Sequence, residues 1–166
     1  MNTEIVKIFS KVVLARNTVK IKLLGDSITH GVGGSGFAQD GEGFIEGFAR
    51  NTKGYCWANN FKERMESRYN CKVVNNACTG TAIEFVIKNF DTLVDDDDDI
   101  ILCTIGTNNR HQSFKYAPKR TKEEHMELFY QNILKLAAMF KEAKKDVIFV
   151  ANIPASERNE QDGPDY

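Results

Sequence analysis

The sequence is short of net charge, of proline and histidine, and of long apolar runs. Its 166 residues carry 22 Lys and Arg against 23 Asp and Glu, a formal net charge of −1. That balance gives no electrostatic reason for nucleic acid or an anionic membrane as a partner. No apolar run approaches the length of a bilayer span. The N-terminus also lacks the basic start, apolar stretch and small-residue cleavage site of a secretory signal. The expectation is a cytoplasmic protein with no membrane span, or a secreted one from which a leader has been trimmed. The four cysteines, Cys56, Cys71, Cys78 and Cys103, include no C-x-x-C pair, so no zinc site is expected. Free thiols fit a reducing compartment, although spacing alone leaves a disulfide open. No internal repeat is visible. With 42% apolar and 27% charged residues, the composition is that of one soluble globular domain.

Along the chain, strand-like and helix-like stretches alternate. Residues 3–16 place Ile5, Ile8, Phe9, Val12 and Val13 at helical spacing, as an N-terminal helix or a connector ahead of a domain that starts at Val19 and runs to Tyr166. From Val19 to Gly25, Lys20 and Lys22 alternate with Val19, Ile21 and Leu23, which predicts a strand. Trp57, Phe61, Met65 and Tyr69 recur every four positions, one face of a helix. A second strand is predicted at Lys72–Asn75, a short helix over 81–90, and a third strand at about 99–105. Thr121-Lys122-Glu123-Glu124 has the spacing of a capping box. It opens a long helix whose expected buried face is Met126, Phe129, Ile133, Leu136, Ala137 and Phe140. Lys141, Lys144 and Lys145 suit the negative end of that helix, and a fourth strand follows at about 146–152. This alternation implies a parallel sheet covered on both faces.

Two motifs invite ligands and are set aside. Gly31-Val32-Gly33-Gly34-Ser35-Gly36 matches a dinucleotide fingerprint, but it begins about six residues after the strand end, and no acid-terminated second strand follows at the right distance. Residues 31–56 read instead as a loop walling a pocket beside Ser27, or as a surface insertion. The five acids Asp95 to Asp99 lack the alternating ligand spacing and turn glycine of an EF-hand, and their mutual repulsion predicts an extended, solvated turn. Neither cofactor nor metal is expected.

Three strand-like runs end in small and amide residues: Ile21 to Ser27, Val73 to Gly80, and Ile100 to Asn108. In an open α/β sheet, ligands bind at the carboxyl ends of the strands. The three ends bring Ser27, Gly80 and Asn108 to one edge. Here the sequence resembles the SGNH (GDSL-like) hydrolases. Gly25-Asp26-Ser27 with Ile28-Thr29 is similar to their first block, Asn76 to Gly80 to the second, and Gly106-Thr107-Asn108 to the third. The resemblance runs from about Val19 to Pro154. It implies a three-layer α/β/α sandwich with a parallel, flavodoxin-like sheet, the SGNH hydrolase fold. It further implies that Ser27 is the nucleophile, and that the Ser27 and Gly80 backbone N–H groups and the Asn108 amide form the oxyanion hole. Physically, Gly80 admits close backbone approach, and Asn108 is a neutral donor that cannot titrate away. Asp26 is expected to orient the turn by accepting local N–H groups. Where the family has Asp after the third-block Asn, this chain has Asn109, a local change in hydrogen bonding.

A serine hydroxyl needs a positioned base. The family supplies one from an Asp-x-x-His block near the C-terminus, and this chain has none; Asp162-Gly163-Pro164-Asp165 ends in Asp where the histidine belongs. The resemblance therefore covers the N-terminal three-quarters of such a domain and stops short at the C-terminal end. His111, three residues past Asn108, is the best stand-in as base or substrate contact. His30 would have to fold back towards Ser27, and His125 reads as solvent-exposed. A sheet ending at its fourth strand exposes an edge and lacks a covering helix, which favours a homo-oligomer unless the helix over 3–16 covers the gap.

The leading function is an esterase that deacylates a small ester through an acyl-Ser27 intermediate, with an acetylated carbohydrate as substrate. The Gly-rich segment and the amides Asn76, Asn108 and Asn109 suit a hydroxylated substrate. A lysophospholipase-type lipid esterase, with Phe37, Phe44 and Phe48 lining an acyl groove, is the alternative substrate class, and an acyltransferase would use the same constellation. The alternative of a different kind is a non-catalytic binding domain, which follows from the missing histidine.

Overall fold

The central strand carries a lysine on each side of Ile21, yet it is covered on both faces. The computed structural model describes residues 3–35, 43–44, 48–49, 54–109 and 120–150. In chain order the elements are α1 (Thr3–Val13), β1 (Val19–Gly25), α2 (Ser27–His30), β2 (Gly43–Phe44), β3 (Phe48–Ala49), α3 (Trp57–Glu66), β4 (Cys71–Asn75), α4 (Ile83–Lys88), α5 (Phe90–Leu93), β5 (Ile100–Thr104), α6 (Lys122–Glu142) and β6 (Asp146–Phe149). Strands β4-β1-β5-β6 form one parallel sheet in that order, while β2 and β3 make a small antiparallel pair. No helix among the described residues is long and apolar enough to cross a membrane.

The strand alternation sorts side chains to two cores. Ile21 and Leu23 face α1 and α3, where they meet Val12, Ala58, Val73, Ile100 and Ile148. Leu24, Ile101 and Cys103 face α4, α5 and α6, where they meet Ile83, Val86, Leu93, Leu136 and Phe140. The result is the expected three-layer α/β/α sandwich. Phe140 packs its ring against Phe90 and Phe149, with centroids 5.1 and 6.3 Å away. Helix α1 is part of the other core, beside α3, and its Lys11 pairs with Asp146 at the start of β6. It lies on one face of the sheet beside β6, the strand expected to leave an exposed edge.

Other expectations need correcting. The helix read over 81–90 is two, α4 and α5, joined at Asn89, whose side-chain Nδ2 donates to the Phe85 carbonyl at 2.9 Å. A short amide offers the backbone this local alternative to helix continuation. On α6 the capping box forms as read, with Thr121 and Glu124 satisfying each other's backbone N–H. The buried stripe begins only at Phe129, however, because Met126 is 62% exposed.

The acid run is a turn exposed at Asp95, Asp96, Asp97 and Asp99, as read, but it is not extended. Lys22 is 1% exposed, and its ammonium lies 2.5 Å from Asp95 and 3.2 Å from the buried Asp98. Lys20 pairs with Asp97, and Lys145 donates to the Asp96 and Asp98 carbonyls at 2.6 and 2.8 Å. The run is therefore a compact turn wrapped around three amines. Lysine positive charge offsets the mutual repulsion that would otherwise extend it. The carboxylates of Asp95, Asp97 and Asp98 do approach one another within 4.8 Å, but lysine amines supply their counter-charge.

Removing one partner of a buried pair strands the other charge in the core. Lys22→Ala is expected to cost about 3–5 kcal/mol, read as a lower urea midpoint. Lys20→Ala, at an exposed pair, is expected to cost less than about 1 kcal/mol. Equal losses would contradict the assignment.

Candidate active site

Gly25 closes β1 where a side chain has no room. A Cβ there would fall 2.8 Å from the Thr104 carbonyl oxygen and closer still to the Thr29 and Thr104 hydroxyls, which bond to each other. Thr104 also donates to the Leu24 carbonyl at 3.1 Å. Asp26 follows in extended conformation as the N-cap of α2. Its Oδ1 accepts the Ile28 N–H at 2.9 Å, and its carbonyl accepts the His30 N–H at 2.8 Å. By capping α2, Asp26 also orients the turn that carries Ser27. Ser27 is the first residue of α2 and half-buried, so its N–H belongs to the first-turn donors without a partner inside the helix. Gly31, at φ 105°, ends α2.

Past β4 the chain continues alongside β1. The Asn76 N–H reaches the Leu23 carbonyl at 2.9 Å, and the Cys78 N–H reaches that of Gly25 at 3.0 Å. Asn75 clips this segment to α2, donating to the Thr29 carbonyl at 2.8 Å and accepting the Ala77 N–H at 3.0 Å. Gly80 then turns at φ 76° and is exposed, with nothing within 4 Å of where a Cβ would stand. Among the described residues, it is the backbone angle that calls for glycine here.

After β5, Gly106 at φ 129° leads into a turn bearing Asn108 and Asn109. Asn108 Nδ2 donates to the Thr81 carbonyl at 2.9 Å. A carboxamide has two N–H donors, so this bond fixes the group beside Gly80 and leaves a second donor. The other two amides hold the scaffold. Asn76 is buried and donates to the Leu93 carbonyl at 3.1 Å. Asn109 accepts the Ile83 N–H and donates to Glu84, each at 2.9 Å.

Strand β1 has β4 on one side and β5 on the other, and the chain visits them in turn. The three segments thus converge at the topological switch point, where open α/β sheets bind ligands. Sequence reasoning missed Asn75, Thr81 and the Thr29–Thr104 pair, which hold these segments together. Thr29 and Thr81 flank the motifs, but nothing in their type distinguishes a fastener from a surface threonine.

The histidines divide differently from their sequence reading. His30 is 1% exposed, and its Nδ1 donates to the Ala77 carbonyl at 3.1 Å, so it is a core histidine bracing the second block. His125 is half-buried, not exposed. His111 lies outside the described residues, as do Phe37 and the side chains of Phe44 and Phe48. Among the described residues, none hydrogen-bonds the Ser27 hydroxyl. Of the segment over 31–56, the ends are tied: the Tyr55 N–H donates to the Ser35 carbonyl at 2.6 Å. All four cysteines are free, and burial pushes the Cys103 thiol up to about 12, which makes it an inert core side chain.

Comparison with known proteins agrees with the fold. The GDSL-like Lipase/Acylhydrolase family matches residues 23–166. No curated protein matches the chain. Among solved structures, a protein of Parabacteroides merdae described as a GDSL-like lipase superposes with a TM-score of 0.55 at 18% identity, over 86% of this chain and 62% of its own. An acetylxylan esterase of Geobacillus stearothermophilus gives 0.57 at 20% identity, over 80% and 59%. Catalytic mutants of that esterase replace a serine, an aspartate and a histidine. An alpha/beta hydrolase from the metagenome of Lake Arreo, Spain, gives 0.53 at 22% identity, over 80% and 60%. The chain thus spans about three-fifths of the length of these proteins.

The two glycines should respond differently to alanine. Gly25→Ala forces the backbone of β5 to shift, at about 1–3 kcal/mol. Gly80→Ala meets no atom and bears only the left-handed backbone cost of about 1–2 kcal/mol. Side-chain shifts in β5, seen by NMR for Gly25→Ala and absent for Gly80→Ala, would check this.

Proposed function

The chain belongs to the GDSL-like Lipase/Acylhydrolase family, and we propose that it acts as a serine ester hydrolase through an acyl-Ser27 intermediate. The observation that supports this reading is the bond from Asn108 to the Thr81 carbonyl, which joins the segment after β5 to the residue following Gly80, at the same sheet edge where β1 ends in Ser27. In the reaction, Ser27 Oγ attacks the ester carbonyl while a base takes its proton. The carbonyl oxygen becomes an oxyanion, facing the Ser27 and Gly80 N–H groups and the free N–H of Asn108. Such a donor is worth up to about 3–4 kcal/mol in the transition state. The alcohol leaves with the proton, and water then releases the acyl group by the same steps in reverse order. An alcohol in place of water would make the enzyme an acyltransferase. His111 is the base this chain offers from its own residues; an Asp-x-x-His segment, as in the family, is the other source.

Acetyl esters of carbohydrates are the proposed substrate class, supported by the acetylxylan esterase among the similar structures. A non-catalytic ester-binding domain is the second reading, favoured by the absence, among the described residues, of a partner for the Ser27 hydroxyl. The test is p-nitrophenyl acetate hydrolysis near neutral pH. Ser27→Ala should lower kcat at least about a thousandfold, and Asn108→Ala about a hundredfold or more. If His111 is the base, His111→Ala falls with Ser27→Ala. A rate indifferent to Ser27→Ala, or no rate with or without a C-terminal Asp-x-x-His extension, would favour the binding domain.

A further inference from the structure

We propose that Asn109 and Glu84 form a matched donor–acceptor pair that positions Asn108 and Gly80 relative to each other. The inference rests on the reading of those two residues as oxyanion donors.

Helix α4 begins without a cap of its own: Ala82 stands at its N-cap and offers no side-chain acceptor. The Ile83 N–H, one of the first-turn donors a helix cannot satisfy internally, goes instead to Asn109 Oδ1 at 2.9 Å. The same carboxamide turns its Nδ2 to Glu84 Oε2, also at 2.9 Å. The other Glu84 oxygen accepts Asn132 Nδ2 from α6 at 2.9 Å. Glu84 is thus an acceptor between two amide donors, and Asn109 is acceptor and donor at once. Neighbouring Asn108 meanwhile holds the Thr81 carbonyl. Two consecutive side chains therefore grip the stretch from Thr81 to Glu84, which Gly80 immediately precedes. The grip fixes the distance between the turn that carries Asn108 and the turn that carries Gly80, and Asn132 ties both to α6.

The chemistry explains why this chain needs an amide at position 109. A carboxylate there could still cap Ile83, but its second oxygen would face the Glu84 carboxylate, an acceptor against an acceptor. Glu84→Gln alone gives the opposite mismatch, because both neighbours of that side chain present N–H groups. Changing both restores the pattern with its direction reversed. The new amide at position 84 would donate through its Nε2 to the new carboxylate at position 109, and its Oε1 would accept from Asn132.

The test compares Asn109→Asp, Glu84→Gln and the double variant with the parent, in whichever form of the protein hydrolyses p-nitrophenyl acetate in a Ser27-dependent way. Each single variant should lower kcat about three- to tenfold with KM changed less than about twofold, and the double variant should return to within about twofold of the parent. Urea midpoints measured alongside separate positioning from capping. Loss of stability with unchanged kcat, or single losses that multiply in the double variant, would overturn the proposal. The side-chain amide resonances of Asn108 in the 166-residue chain provide a readout independent of turnover. Should no form show Ser27-dependent hydrolysis, the esterase reading fails separately. The pair is then supported if those resonances shift in each single variant and return in the double, and overturned if they do not move.

Discussion

A lysine ammonium cannot sit inside an apolar core without a carboxylate beside it, and much of this molecule follows from where Lys22 finds one. Asp98 reaches it from the turn between α5 and β5, so that turn must fold against the middle of β1. Asp99 then exchanges hydrogen bonds with the Lys20 backbone, and Ile100 enters the sheet opposite Ile21. The ion pair and the strand register are two aspects of one constraint. With β5 held in that register, Gly106 leaves the sheet just beyond Thr104, the partner of Gly25, and Asn108 arrives at the height of the β1 end.

At the other end of the strands, most polar groups serve the scaffold. Asn75, Asn76, His30, Thr29, Thr104 and Thr81 spend hydrogen bonds on backbone carbonyls or on each other. They join α2 to the segments that follow β4 and β5. Preorganisation of this kind matters for a site whose work is electrostatic, because donors already aimed at a developing charge need no reorganisation when it forms. In the proposed reaction, a neutral amide and two backbone N–H groups would not titrate, so the pH dependence would rest with the base alone.

The fold is largely legible in the sequence because its signals are local. Period-two and period-four patterns mark the strands and helices, and Thr121 and Glu124 mark the start of α6 by a motif with its own mechanism. Failures come where tertiary neighbours decide. Asp95 to Asp99 read as an extended turn, because sequence pattern does not reveal that opposite charges far apart in the chain, Lys20 and Lys22, will meet them. His30 looks like a loop histidine for the same reason: the Ala77 carbonyl that engages it lies on another strand's continuation. In the site, Ser27, Gly80 and Asn108 stand out through motif order, whereas Asn109 shows only as a departure. Its two partners, Ile83 and Glu84, belong to a helix whose first turn gives no sign of being capped from elsewhere.

The bond between Ser35 and Tyr55 has an evolutionary consequence. A chain excursion whose two ends are already joined adds little to the entropic cost of folding when it lengthens, since closure entropy grows only logarithmically with length. The stretch between those residues leaves next to Ser27 and rejoins the fold just before α3. Its sequence can therefore drift, grow or be exchanged for another without disturbing the sheet or the three segments at its edge.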